Sequence, residues 1–168
     1  NKDLKLFAET SGKNALIITA ASDPDLAAKD LIKSAFGHAG QKCSAASLGL
    51  IDSDLYHNEF FMNQLRDAAA SFPAGEPTDP AAVVTPLIQA PSPDLLRGLT
   101  QLDEGETWLL EPKRISARLW SPGIRLGVKC RSWIHRTELF GPVLSLICVK
   151  DLDEAIAIQN ASDFGLTG

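Results

Sequence analysis

The stretch Gly37–Ser47, GHAGQKCSAAS, sets one cysteine among small and polar residues just past two glycines. A free thiol has a pKa of about 8.5 and only its thiolate is a strong nucleophile, so the surroundings of Cys43 decide whether it can attack an electrophilic carbon. The SAAS that follows predicts a helical turn, whose unbonded N–H groups would stabilise a thiolate. Cys148, inside VLSLICV, reads as apolar core filler, and Cys130 sits in a polar turn with nothing to activate it. A base is available in Glu9, which ends the run LKLFAE directly before TSGK. In open α/β sheets the loops beyond strand ends converge on one site. Taken alone, the same carboxylate also reads as a solvated acid at a turn. His38 is the histidine nearest the cysteine, and nothing in the sequence fixes its tautomer.

Other chemistries find little support. Three cysteines at wide spacing form neither a disulfide framework nor a paired zinc pattern, and His38, His57 and His135 are equally dispersed, so no metal is expected and a reducing cytoplasm is the default compartment. The net charge is −5 with cations in singles and pairs, which gives no concentrated field for nucleic acid. The runs ALIIT and VLSLICV are far shorter than the roughly 20 residues that cross a bilayer, so no membrane segment is expected. A chain of 168 residues, 45% hydrophobic and 22% charged, suits one domain with a sizeable core. It opens on Asn1 rather than Met and ends on ASDFGLTG without a terminal pattern, so the expectation is a piece of a longer polypeptide.

The elements that must position these residues alternate between strand and helix. Residues 4–9 and 14–19 read as extended runs joined at a glycine turn, with Leu16, Ile17 and Ile18 forming a fully apolar strand in the second. Residues 22–40 carry the clearest helix, with Asp23 as cap, Pro24 at the first position, Asp25 at the positive end, and Gly37 and Gly40 to stop it. A strand at 46–52 follows. A second helix is predicted over 53–72, with Leu55, Phe61, Leu65 and Ala69 near helical spacing. Six prolines between Pro73 and Pro93 predict a surface loop around one short strand at 82–88. Then come a helix at 92–102, extended pieces at 107–112 and 119–128, a buried strand at 143–149 and a helix at 151–161. This alternation makes a layered α/β domain. Trp108, Trp120 and Trp133 read as core or rim aromatics, and Lys42 as an exposed side chain.

These residues resemble a known family. AETSGKNALII and GQKCSAAS, whose Glu9 and Cys43 lie 34 positions apart, are similar to the glutamate and cysteine motifs of the aldehyde dehydrogenase superfamily. TELFGPVLSL resembles its Glu-aromatic-Gly-Pro motif, and NASDFGLTG the segment after it. The four occur in order from Ala8 to Gly168. ETSGKNA, GQKCSA and LWSPGIRLGV resemble most the Δ1-pyrroline-5-carboxylate dehydrogenase branch, in the form fused behind proline dehydrogenase in bacterial proline catabolism.

The resemblance implies a three-layer α/β/α catalytic domain with a mostly parallel sheet, filling residues 1–168. It implies Cys43 as nucleophile, Glu9 as the base that activates water, Glu138 on the nicotinamide-ribose hydroxyls and Phe140 beside the nicotinamide. Ser44 would hold the substrate's α-carboxylate, or cap the turn after Cys43; both readings stand. The implied cofactor is NAD, bound mainly by a domain of the same polypeptide outside this chain, and the implied partners are a small aldehyde and further copies of the parent. The implied activity is oxidation of L-glutamate γ-semialdehyde to L-glutamate, with the 168 residues inactive in isolation. A dehydrogenase for other aldehydes, or a domain that keeps only the fold, are the alternatives.

Overall fold

The computed structural model describes residues 4, 5 and 10–168. Glu9 and most of the expected run at 4–9 therefore lie outside the described residues, while Leu4 and Lys5 are in no regular element. The apolar run NALII forms strand β1 (Asn14–Ile18). Helix α1 (Pro24–Phe36) starts where the sequence indicates: the Asp23 carboxylate accepts the Leu26 N–H at 3.0 Å. Its end at Gly37 leads into a 3₁₀ turn, Gly37–Gly40, and strand β2 (Ala46–Asp52) follows.

The predicted helical turn after Cys43 does not form. Ala46 onward pairs with β1 and, from Leu48, with β5 (Val143–Val149), and this two-sided pairing outweighs the local helix preference of SAAS. Ser44 consequently caps no helix.

The long second helix is also divided. Its parts are α2 (Ser53–Tyr56) and α3 (Glu59–Ala70), because the Asn58 side chain accepts the N–H groups of Phe60 and Phe61 at 2.9 and 3.2 Å and starts a helix there. The expected strand at 82–88 reduces to an isolated bridge between Ala74 and Val84. Pro86 removes a ladder donor within it. Helix α4 (Pro93–Thr100), strands β3 (Thr107–Leu110) and β4 (Gly123–Leu126), and helices α5 (Trp133–Arg136) and α6 (Leu152–Gln159) complete the described elements.

The sheet order is β1-β2-β5-β4-β3, parallel except for β3, which runs antiparallel to β4. Consecutive residues of β2 and β5 are buried, so both sheet faces are covered. Helix α1, backed by α3, lies on the face where the missing side chain of Gly49 leaves room for Leu31 and Leu146. Helix α6 packs along β1, β2 and β5.

One buried ion pair ties the far edge of the sheet to the loop that carries Glu138. Arg125 on β4 is fully buried and pairs with Glu106, ahead of β3. It also donates to the Gly98 and Gln101 carbonyls at 3.0 and 2.7 Å, at the C-terminal end of α4, where a cation is favoured. Trp108 supports the guanidinium from 5.3 Å. Helix α4 in turn seats the segment after Glu138: Leu139 fills the space left by Gly98, and Leu95 lies against Gly141. Removing the cation would leave Glu106 buried and unpaired. Arg125→Met is expected to destabilise by about 3–5 kcal/mol in urea unfolding, and adding Glu106→Gln to recover much of the loss; a single-variant cost below about 1 kcal/mol would contradict this account.

Candidate active site

Three loops meet at one end of the sheet: residues 10–13 before β1, 37–45 before β2 and 137–142 before β5. After α1 the chain turns through three consecutive left-handed residues, His38, Ala39 and Gly40, with φ of 57°, 55° and 69°. At Gly40 this conformation coincides with a close approach, because a side chain there would collide with the Gly141 carbonyl. Gln41 bridges the loops further: its Nε2 donates to the Phe140 carbonyl at 3.1 Å, and its Oε1 accepts the Ile88 N–H at 3.0 Å. Cys43 and Ser44 then form an exposed turn closed by the Ala45 N–H on the Lys42 carbonyl at 3.1 Å.

That turn is held from below by β1. The Asn14 side chain, 4% exposed, donates through Nδ2 to the Cys43 carbonyl at 2.6 Å and the Ala45 carbonyl at 3.0 Å. The Ala46 N–H donates to Ser34 Oγ at 3.1 Å. Among the described residues the Cys43 and Ser44 N–H groups have no protein acceptor, so the donors beside the thiol remain available.

Glu138 arrives from the third loop. Its Oε1 accepts the Gly12 N–H at 2.8 Å, which leaves Oε2 without a protein donor among the described residues. Phe140 has φ of +50° and is partly exposed, beside the Gly40–Gly141 contact. Helix α5, which leads into Glu138, is pinned by His135. The Arg131 N–H donates to His135 Nδ1 at 3.1 Å, so the ring is protonated at Nε2, which donates to the Ile158 carbonyl at 3.1 Å. Burial pushes the imidazole below its usual range and keeps it neutral. Lys13, between Gly12 and Asn14, is buried, and desolvation brings its ammonium down to about 7, with Glu138 opposing the shift and Arg125 adding to it.

Next to the Cys43 turn a cleft of about 710 Å³ is lined by Leu16, Lys33, His38, Lys42, Ser44 and Phe72, but not by Cys43, Glu138 or Phe140. The fold thus sets the turn of Cys43 and Ser44 against the loop of Glu138 and Phe140, whereas Glu9 lies outside the described residues. Cys130 is exposed in its turn, as the sequence indicates. Cys148 is only half-buried, which differs from the sealed core position expected of it. Trp120 is buried and Trp108 and Trp133 are half-buried, in keeping with core and rim roles. Sequence reasoning missed Gly12, Lys13, Asn14 and Gln41. The signal was the polar trio placed directly before an apolar strand, which reads as a turn until its burial is known. Among the described residues no helix is long and apolar enough to cross a membrane, and no group of three or more His, Cys, Asp or Glu could hold a metal ion.

The aldehyde dehydrogenase family profile matches residues 2–168. The chain belongs to the aldehyde dehydrogenase family. Among curated aldehyde dehydrogenase relatives, 1-pyrroline-5-carboxylate dehydrogenase of Staphylococcus aureus is 30% identical over 98% of this chain and 32% of its own length. The chain spans about a third of the length of the curated relatives it matches. Among solved structures, Proline Utilization A from Corynebacterium freiburgense superposes with a TM-score of 0.86 at 48% identity, covering 90% of this chain and 16% of that one. NADP-dependent glyceraldehyde-3-phosphate dehydrogenase from Bacillus halodurans, complexed with NADP, gives a TM-score of 0.83 at 31% identity, over 93% of this chain and 32% of that one. The mostly parallel sheet covered on both faces is the α/β fold of these aldehyde dehydrogenases.

The buried lysine makes a pH test. Its ammonium is favoured less in the folded than in the unfolded chain, so folding is penalised below about pH 7 and the penalty disappears as pH rises towards the ordinary lysine value of 10.5. Relative to Lys13→Met, the wild-type chain is therefore expected to gain stability between pH 7 and pH 10 in urea unfolding. A difference that stays flat across that window would show Lys13 to be solvated.

Proposed function

We propose that this chain is the catalytic domain of an NAD-dependent aldehyde dehydrogenase that oxidises L-glutamate γ-semialdehyde to L-glutamate, with the rest of the cofactor site on another domain of the same polypeptide. The observation that carries it is the exposed Cys43 turn, whose N–H groups have no partner among the described residues, fixed through Gly40 and Gln41 against the loop that bears Glu138 and Phe140. The substrate assignment is supported by relatives named 1-pyrroline-5-carboxylate dehydrogenase and by the 48% identity to Proline Utilization A.

In this reading Cys43 Sγ attacks the aldehyde carbon and forms a C–S bond, while the adjacent N–H groups receive the developing oxyanion. When bound, the nicotinamide dinucleotide supplies the hydride acceptor. Glu138 would hold its ribose through Oε2, with Oε1 fixed by Gly12, and Phe140 would flank its ring. Loss of hydride from the adduct leaves an acyl thioester on Cys43. Glu9 takes a proton from the water that cleaves this thioester, which releases the acid and restores the thiolate. Ser44, on the wall of the cleft, would meet the substrate's carboxylate end. The 168 residues by themselves lack the other domain and are inactive.

Steady-state kinetics on the full-length protein test this. L-Glutamate γ-semialdehyde is expected to exceed an uncharged aldehyde of similar size by about tenfold or more in kcat/KM, and Cys43→Ala to lower kcat by at least about a thousandfold. Equal kcat/KM for the two aldehydes removes the substrate assignment. Substantial turnover by Cys43→Ala removes the nucleophile.

A further inference from the structure

We infer that Asn14 is a positioning residue for the nucleophile, an inference that rests on Cys43 being that nucleophile. The side chain does more than fill the end of β1. The register of β1 on β2 shifts between Asn14 and Ala15, so that Asn14 pairs with Ala46 while Ala15 already pairs with Leu48. Ser47 is left over by this irregularity, and its hydroxyl returns to the Asn14 carbonyl at 3.4 Å. At this break the Asn14 amide takes over from the strand ladder. Its two N–H bonds fix the Cys43 carbonyl at 2.6 Å and the Ala45 carbonyl at 3.0 Å, in the two peptide planes that flank the Ser44–Ala45 peptide.

A trans peptide carries its C=O and N–H on opposite edges. With the Cys43 carbonyl directed down to Asn14, the Ser44 N–H is directed away from β1 and towards the exposed side of the turn. The plane between Ala45 and Ala46 is fully engaged, because the Ala46 N–H is held by Ser34. Of the two planes that Asn14 holds, only the one next to the thiol keeps a free donor among the described residues. No other side chain described in the structure bonds both carbonyls of this turn, and the Asn14 Oδ1 is buried without a partner among the described residues, so the amide is oriented by its donors. Hydroxyl or carboxylate side chains at position 14 cannot supply two N–H bonds at this geometry.

Asn14→Leu and Asn14→Ser in the full-length protein provide the test, read as the division between kcat and KM. Losing the positioning bonds is expected to lower kcat by about tenfold to a hundredfold in Asn14→Leu, and less in Asn14→Ser, which keeps one donor. The Kd for the dinucleotide stays within about twofold of wild type, since Glu138 is held by the Gly12 backbone instead. A variant that unfolds at lower temperature yet keeps the wild-type kcat overturns the inference, because it shows a structural role only. Should Asn14→Leu fail to fold, Asn14→Ser decides: a fall of a few fold in kcat supports the inference and an unchanged kcat overturns it. Alkylation by iodoacetamide at pH 7 separates the two levels. If wild-type Cys43 reacts no faster than Cys130, which is also exposed, the nucleophile assignment itself falls; if it reacts faster and kcat is the same in both Asn14 variants as in wild type, only the role of Asn14 falls.

Discussion

The amide of Asn14 is buried at the head of β1 and gives both of its N–H bonds to the turn that presents Cys43. A buried carbonyl left without a donor is costly, so this turn cannot move far without orphaning two of them. The constraint explains why an exposed cysteine can still be well placed: the atoms beneath it are fixed although the thiol itself faces solvent. Two residues earlier the Gly12 N–H fixes Glu138 at 2.8 Å. A segment of three residues, Gly12 to Asn14, thereby sets the position of both candidate groups, and a parallel strand provides the rigid support.

Close backbone approach completes the arrangement. Gly40 lies directly against Gly141, and Gln41 spans to Phe140 and Ile88, so the thiol loop and the Glu138 loop are packed as one unit. Behind them α4 holds Leu139 and Gly141 through its own leucine and glycine, and α4 is anchored by the Arg125–Glu106 pair at the sheet edge. The chain of support runs from a buried ion pair, through a short helix, to the loop that carries the Glu138 carboxylate and the exposed Phe140 ring. Each link has a side chain whose size or charge is specific to its place.

Much of this was legible in the residues. The apolar runs at 14–18 and 143–149 are strands, and Asp23, Ser92 and Asp151 mark helix starts as their side-chain chemistry requires. The motifs around Cys43 and Glu138 pointed to the family that the comparisons establish. What was hidden depends on tertiary partners. SAAS has no local reason to avoid a helical turn, and only the pairing of Ala46 with β1, continued by the strand that β1 and β5 hold from Leu48, makes its latter part extended. Asn58 interrupts an apolar spacing that continues across it, so the break between α2 and α3 is masked by periodicity. Lys13 and Asn14 look like turn residues, because nothing in a linear sequence reveals that the loops carrying Cys43 and Glu138 will cover them.

The central claim is that the carbon of an aldehyde becomes bonded to Cys43. It is tested most directly by mixing the full-length protein with L-glutamate γ-semialdehyde and NAD, quenching within the first turnover, and mapping tryptic peptides by mass. Cleavage after Lys42 and Arg66 isolates the candidate thiol from Cys130 and Cys148 on a peptide of its own. The account predicts the acyl mass on the peptide 43–66. An acyl group on either of the other cysteines, or product formed while peptide 43–66 stays unmodified at every quench time, would contradict it.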